Sequence, residues 1–490
     1  MQRASRHSLA DLAAALPGVV AVDPAIVSII DITHDSRQAG PAIGFAAVHG
    51  MTVDGHRFAG EAAAAGAPMA LVERRLDIGI PQIVVDDTRT AMAWLAAAVH
   101  GNPSADLAIT GVTGTNGKTT ITAMCEAAAA AADLRSGVIG TLGARIAGKP
   151  VPLQRTTPES TDLQRVLASM READTDAVFM EVSSHALSLH RVDAIGFDVG
   201  AFTNLTQDHL DFHGDMESYF AAKRLLFDPN RIAHAVINVS DPYGQHIAES
   251  FPGAQTTVAF GADADIRVDL VSENDRRSVA VLTRSTGRIE LTVPLPGWFN
   301  ALNAAMAFAI CDTIGIDEDS IIAGLRDLPT VSGRMQRVEG TAGYTVVVDY
   351  AHTPAAIATV IKAARGMVDG RVIVVVGAGG DRDRDKRPLM GKAAAEHADV
   401  VIVTTDNPRS EDPSDIAAAV AKGAASVSNT PVDTVLARSE AILRAVSMAG
   451  TGDIVLILGR GHEPYQEVAS TMIPFDDIVV AAEAVHQRER

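Results

Sequence analysis

Gly111-Val112-Thr113-Gly114-Thr115-Asn116-Gly117-Lys118-Thr119-Thr120 closes an apolar run at 107–112 and opens an alanine-rich helical pattern at 121–132. A glycine-rich turn between a strand and a helix lets successive backbone N–H groups close around phosphate oxygens. The helix N-terminus adds the positive end of its dipole. Lys118 is placed to reach the β- and γ-phosphates of a nucleotide, and the Thr119 hydroxyl to ligate Mg²⁺. The commonest phosphate loop carries glycine five places before Gly117. Val112 stands there and Gly111 comes one earlier, so this loop is a variant. Strand, loop and helix in that order commit the chain to the α/β class.

The same alternation repeats outward from the loop. Val/Ile-rich runs at 177–180, 235–239, 345–348, 371–376, 399–403 and 453–458 each lead into a polar or glycine-rich turn and then a helical stretch. Continuous apolar runs of this length predict parallel strands buried on both faces. Linker signals at 101–106 and 328–333 divide the chain into 1–103, 104–330 and 331–490, three α/β domains with the phosphate loop in the middle one.

Composition removes several functional classes. At 490 residues the chain is too long for one core, and 47% hydrophobic with 21% charged residues describes a folded protein rather than a disordered one. Acidic residues outnumber basic ones 60 to 41, a net charge of −19 that disfavours nucleic acid and anionic membranes. Aromatics are 4%, too few for a base-stacking platform. Cys125 and Cys311 are far apart and form no CxxC pair, which excludes a disulfide framework or zinc ribbon. Asp11 interrupts the apolar stretch near the start that a signal peptide would need, and no run has the look of a membrane span. The expectation from composition is a cytoplasmic, multidomain protein.

Further candidates lie at strand ends. Glu181 follows the 177–180 run, where a carboxylate could share Mg²⁺ with Thr119 or simply cap the next helix. His209 and His213 are four apart and could share a helical face, although HExxH is absent because Leu210 occupies the Glu position. Lys223, within 218–227, reads by itself as a solvated lysine on an amphipathic helix. Asn300 reads as a helix cap, which leaves Asn303 open. The stretches 377–383, 405–409 and 459–463 would converge on one crevice if their strands are adjacent and parallel. A basic surface patch is the alternative for Arg382, Arg384, Lys386 and Arg387.

The loop, taken with Asp208-His209, Ala222-Lys223, Gly333-Arg334 and Asp349-Tyr350-Ala351-His352, resembles the Mur ligases and the related folylpolyglutamate synthetases, which form amides at the expense of ATP. The resemblance implies three domains: a smaller N-terminal α/β uridine-nucleotide domain, a central P-loop ATPase domain and a C-terminal Rossmann-like domain. It implies an ATP site of Gly114, Thr115, Asn116, Gly117, Lys118, Thr119 and Thr120, with Asn303 towards adenine, Arg334 on phosphate and Asp349 on ribose. His352 is a second-tier candidate. Lys118, His209 and Lys223 become catalytic candidates. Thr119, Glu181, His209 and Lys223, the last as a carbamate derived from CO₂, become Mg²⁺ ligands.

For the acceptor substrate, UDP-MurNAc-L-Ala-D-Glu, the resemblance implies Ser36, Thr156, Thr157, Ser183 and Arg191. Family members that take meso-diaminopimelate carry Asp-Asn-Pro-Arg, found here as Asp406, Asn407, Pro408 and Arg409. Arg382, Gly459 and Glu463 complete the implied amino-acid site. A guanidinium pairs bidentately with the second carboxylate of diaminopimelate, whereas with lysine it would face an ammonium. The chain departs from the family pattern at Ile43-Gly44, Leu189, Ala355 and Arg460. A lysine-using ligase, a folylpolyglutamate synthetase-like ligase and a P-loop regulatory ATPase remain the alternative readings.

Overall fold

A computed structural model describes residues 5–50, 53–153, 155–427 and 430–489. Among them, three larger sheets of five, eleven and six strands follow one another along the chain. In the largest sheet the strand Ala108–Thr113 lies between Ala177–Glu181 and Phe197–Phe202, parallel to both. Ser136–Gly140 and Ile232–Asn238 extend the parallel core on either side. The chain leaves Ala108–Thr113 towards one side of the sheet and returns to the other. The phosphate loop therefore stands at a switch of strand order, where α/β sheets open a crevice. An antiparallel meander, Ile266–Glu273, Ser278–Arg284 and Gly287–Val293, completes one edge.

The helix Lys118–Ala131 starts three residues earlier than the apolar pattern predicts, because Gly117 takes a left-handed N-cap conformation directly after the loop. Ile121, Met124, Cys125 and Ala128 recur at helical spacing and are buried, while Ala131 is exposed. Against this face packs Trp298–Thr313, an almost wholly buried helix. Cys125 and Cys311 meet there, both free and buried. Burial and the neighbouring Cys311 push the Cys125 thiol up.

In the six-stranded sheet, Thr345–Asp349, Ile454–Leu458, Val372–Val376, Val400–Val403 and Val432–Thr434 are parallel neighbours in that order. The strands leading into 377–383, 405–409 and 459–463 are thus side by side, and their C-terminal ends open on one edge. The stretch at 328–333 is a packed joint: Leu328, Val331 and the nearby Met335 are buried in an apolar core that continues from the middle sheet's helices into the last sheet. The other linker signal contains a short 3-10 turn, Pro103–Asp106. Among the described residues no helix is long and apolar enough to cross a membrane.

Arg438 and Asp477 form an ion pair with no exposed surface. Arg438 also donates to the carbonyls of Leu458 (3.0 Å) and Thr405 (3.4 Å), the residues just before Gly459 and Asp406. Removing one partner leaves an uncompensated buried charge. Asp477→Ala is expected to cost about 3–5 kcal/mol, read as a fall in the melting temperature of the transition that unfolds this sheet. The paired replacement Arg438→Met with Asp477→Leu should lose less than the single change.

Candidate active site

A cavity of about 450 Å³ lies between the phosphate loop and the first strand end of the last sheet. One wall carries Thr115, Gly117, Lys118 and Thr119, and the other Arg334, Asp349, Tyr350 and His352. The loop is tied down from behind. Thr115 N–H donates to the Asn204 carbonyl at 2.8 Å, Asn116 N–H to Asn204 Oδ1 at 3.0 Å, and the Thr203 hydroxyl to the Asn116 carbonyl at 2.6 Å. Gly114 has φ +144°, and a Cβ there would overlap the Thr203 hydroxyl, so only glycine fits.

Two lysines converge on one carbonyl. Lys118 Nζ donates to Gly114 O (2.8 Å) and Thr115 O (2.9 Å), and Lys223 Nζ donates to the same Gly114 O (2.8 Å). Lys223 is 1% exposed and its Nζ sits 4.7 Å over the Tyr219 ring, so the expectation of a solvated helix lysine is overturned. Burial and the charge of Lys118 hold the Lys223 amine well below the usual lysine range. Burial also lowers Lys118, opposed by Glu181.

Glu181 is buried at its strand end. Its Oε1 accepts from Thr119 Oγ1 at 2.9 Å and Thr141 N–H at 2.8 Å, and its Oε2 from the Thr141 hydroxyl at 3.0 Å. It does not cap the following helix; Ser183 does, accepting from Ala186 N–H. His209 and His213 do not share a helical face. His209 has a left-handed backbone, φ +55°, just outside the short helix Leu210–His213. The two rings instead gather around His185, with centroids 4.8 and 5.5 Å from it. Burial, with neighbouring positive groups, brings His209 down to about 3 and His213 to about 4, so both rings are neutral near pH 7.

Arg334 lies over the Tyr350 ring at 4.6 Å and donates to the Thr119 hydroxyl at 3.0 Å, bringing the last sheet to the mouth of the loop. Asp349 accepts backbone N–H from Met335 and Ala351 at 2.7 and 2.8 Å, and burial raises its pKa. Asn303 lines the cavity beside Gly117, its amide donating to Asn300 Oδ1. Asn300 is not the expected cap: Gly297 is, and the Asn300 amide donates back to the Pro296 carbonyl.

Thr156 and Ser183 line the same cavity. The Thr157 hydroxyl donates to the Glu181 carbonyl, and Arg191 donates to the Thr157 carbonyl at 3.0 Å. Arg191 also pairs with Glu159 at 2.8 Å, and Arg89 and Arg155 converge on that carboxylate too. Ser36 opens the turn Ser36–Gln38, capped by Asp35. His34, two residues earlier, meets the Thr161 hydroxyl at 3.1 Å across the boundary between the first two sheets.

The three strand ends of the last sheet do converge. Asn407 Nδ2 donates to Glu463 Oε2 at 2.6 Å, while Asn407 Oδ1 accepts from Arg460 at 2.7 Å and Glu467 N–H at 2.9 Å. Gly459, at φ +114°, leaves room for Asp406: a Cβ there would lie 2.5 Å from Asp406 Oδ2. Burial and Asp406 raise the Glu463 pKa, as expected of two carboxylates facing one space. Arg409 donates to the Gly380 carbonyl at 2.6 Å and lies 3.5 Å from Glu467, and Pro408 packs its carbonyl against Gly380. Arg382 and Arg384 are exposed, but Lys386 and Arg387 are buried, so the four do not form a surface patch. Arg460 is fully buried, donating also to the carbonyls of Glu463 and Tyr465. Sequence reasoning passed over Thr141, Glu159, Asp208 and Tyr219. For Asp208 and Glu159 the signal was an acid beside a motif histidine or threonine pair.

Three family models match the chain: "Mur ligase family, catalytic domain" at residues 28–100, "Mur ligase middle domain" at 112–311, and "Mur ligase, glutamate ligase domain" at 333–461. A protein of Streptomyces coelicolor named UDP-N-acetylmuramoyl-L-alanyl-D-glutamate–2,6-diaminopimelate ligase is 42% identical, covering 99% of this chain and 98% of its own length. The chain belongs to the Mur ligase family. A protein of the same name from Geobacillus thermodenitrificans is 42% identical, covering 94% of this Mur ligase and 95% of its own length. A solved structure of a UDP-N-acetylmuramoyl-L-alanyl-D-glutamate–2,6-diaminopimelate ligase superposes with a TM-score of 0.69 at 30% identity, over 99% of this chain and 100% of that one. The three sheets are those of the Mur ligase three-domain fold.

The loop geometry of this Mur ligase makes a direct prediction. Gly114→Ala forces a left-handed, overcrowded backbone, a strain of about 1–3 kcal/mol. Calorimetric titration with a non-hydrolysable ATP analogue should show affinity falling by about tenfold. An unchanged affinity would detach the loop from nucleotide binding.

Proposed function

We propose that this Mur ligase joins meso-2,6-diaminopimelate to the D-Glu γ-carboxylate of UDP-MurNAc-L-Ala-D-Glu with hydrolysis of ATP to ADP and phosphate, a step in peptidoglycan precursor synthesis. The observation that carries the reading is the set of Asp406, Asn407, Arg409 and Glu463 at adjacent strand ends, on the sheet whose Arg334 reaches the phosphate loop. A carboxylate is a poor electrophile, and its oxygen must first become part of a good leaving group. Attack by the D-Glu carboxylate on the γ-phosphate gives an acyl phosphate. The diaminopimelate amine then attacks the acyl carbon, and phosphate departs.

Both partners of the first step are anions, so the site must screen their repulsion. Lys118, at the mouth of the loop, and Arg334, within reach of Thr119, supply fixed positive charge there. Asn303 and Asp349 bracket the remainder of the nucleotide. Thr156, Thr157, Ser183 and Arg191, with Ser36 from the first domain, hold the acceptor. Asp406 and Glu463 form an acidic pair for the distal ammonium of diaminopimelate, and Arg382 and Arg409 a basic pair for its carboxylate. The chain works as a monomer in the cytoplasm, where its ATP is held.

The residues present fit Mg²⁺. Thr119 Oγ1 and Glu181 Oε1 are hard oxygens 2.9 Å apart, and His209 is a neutral imidazole, the form that binds a metal. Among the described residues no group of three acidic, Cys or His side chains is arranged as a closed metal cage. Lys223 fits carbamylation, because a buried amine held below its usual pKa is the neutral nucleophile that CO₂ requires. When bound, Mg²⁺ on Thr119, Glu181, His209 and a Lys223 carbamate would neutralise the phosphate oxygens during transfer.

A competition assay offering diaminopimelate, lysine and ornithine with ATP and the UDP-dipeptide tests the reading. Diaminopimelate should be incorporated almost alone, and preference for lysine would replace this reading with the lysine-using one. Arg409→Ala should raise KM for diaminopimelate. Lys118→Ala should lower kcat by about two to three orders of magnitude, the scale of losing one preorganised charge. Incubation with ¹³C-bicarbonate should give a carbamate NMR signal that is lost in Lys223→Ala. Wild-type protein lacking that signal would remove the modification.

A further inference from the structure

Asp208 is a carboxylate on which two domains meet. It is 4% exposed, and its partner Lys386, the first residue of the helix Lys386–His397, is 6% exposed. Lys386 Nζ lies 3.1 Å from Asp208 Oδ1. The same Oδ1 accepts the backbone N–H of His209 at 3.0 Å, while Oδ2 faces His209 Nε2 at 3.4 Å and His352 Nε2 at 3.5 Å. A second bond runs alongside: the Gln207 amide donates to Asp383 Oδ2 at 3.5 Å. Asp383 Oδ1 in turn accepts the backbone N–H groups of Asp385 and Lys386 and so fixes where the lysine's helix begins. The segment 207–209 of the middle domain is thus gripped by 383–386 of the C-terminal domain. The grip starts one residue after Arg382.

His209 holds a left-handed backbone that a non-glycine residue keeps only when its surroundings over-determine it. The Asp208 carboxylate, held by Lys386 and bonded to the His209 N–H, constrains it from one side, and the N–H groups of Phe212 and His213 hold the His209 carbonyl from the other. A buried ion pair is unfavourable to break by removing one partner, because the other charge is left without solvent.

We propose that Lys386 is a positioning residue: its ion pair with Asp208 latches the C-terminal domain onto the middle domain and sets the His209 loop in place. The domain that binds the amino acid then completes the site that activates the acceptor, and nucleotide turnover depends on docking. The turnover arm of the test rests on the ligase reading above; the scattering arm does not.

The full-length chain is compared with Lys386→Met, Lys386→Arg, Asp208→Asn and the double variant Lys386→Met/Asp208→Asn. Small-angle scattering without substrates should give a larger radius of gyration for Lys386→Met than for wild type, with Lys386→Arg unchanged. In the ligation assay, Lys386→Met should lower kcat roughly tenfold while KM for the UDP-dipeptide stays near the wild-type value. Lys386→Arg should restore most of that loss, and the double variant should be no worse than Asp208→Asn alone. Multiplying losses in the double variant, an arginine variant as poor as the methionine one, or an unchanged radius of gyration each overturns the latch. If Lys386→Met does not fold, the arginine, asparagine and double variants decide by the same criteria. A wild type that ligates none of the amino acids overturns the functional reading and leaves the latch to scattering.

Discussion

Two amines directed at one peptide oxygen set the character of this site. The Gly114 carbonyl accepts from Lys118 and Lys223 together, and the loop can present it only because Gly114 adopts a backbone closed to other residues. Burial disfavours protonation of both amines, and the charge of Lys118 adds to the effect on Lys223. The loop therefore gathers positive charge at its mouth, while the buried Lys223 amine is held well below the usual lysine range. Glu181, Thr119 and the neutral His209 stand around that centre. The strand order, which places Ala108–Thr113 between two parallel neighbours, determines that they meet there.

A similar economy governs the other side of the cleft. The acidic pair Asp406 and Glu463 would repel each other if simply buried, and the surroundings absorb the cost through fixed donors. Arg460 holds Asn407 by its oxygen, which leaves the Asn407 amide to face Glu463. Arg438, paired with Asp477, ties the two strand-end carbonyls just before Asp406 and Gly459. These cations touch no proposed substrate position; they hold the groups that do. Buried polar side chains at strand ends are sustained here by other buried polar side chains, not by solvent.

The fold was legible wherever burial on both faces leaves a mark in composition. The runs at 345–348, 371–376 and 453–458 became strands within a residue or so, and the adjacency of the last sheet brought the three strand-end motifs together. The site was legible where glycine and lysine spell out a phosphate loop. Lys223 was not, since its helix looks amphipathic and only the tertiary contact with Gly114 buries it. His209 and His213 were misplaced because spacing by four assumes helical backbone, and His209 leaves the helix. Asn300 looked like a cap because an asparagine near a helix start usually is one, but Gly297 provides the turn. Lys386 and Arg387 resembled solvated charges because pairing with Asp208 and Glu411 across long sequence separations leaves no local trace.

The joint at Leu328, Val331 and Met335 gives the cleft its mechanics. Dispersion and solvent exclusion have no preferred direction, but these three side chains interlock in one continuous core, and backbone bonds run through the joint from Met335 N–H to Asp349 and from Arg334 N–H to the Val331 carbonyl. Shape complementarity at the joint and polar catches at the rim thus act on the same angle. Turning one half against the other would have to unseat both the interlocked side chains and the bonds beside them.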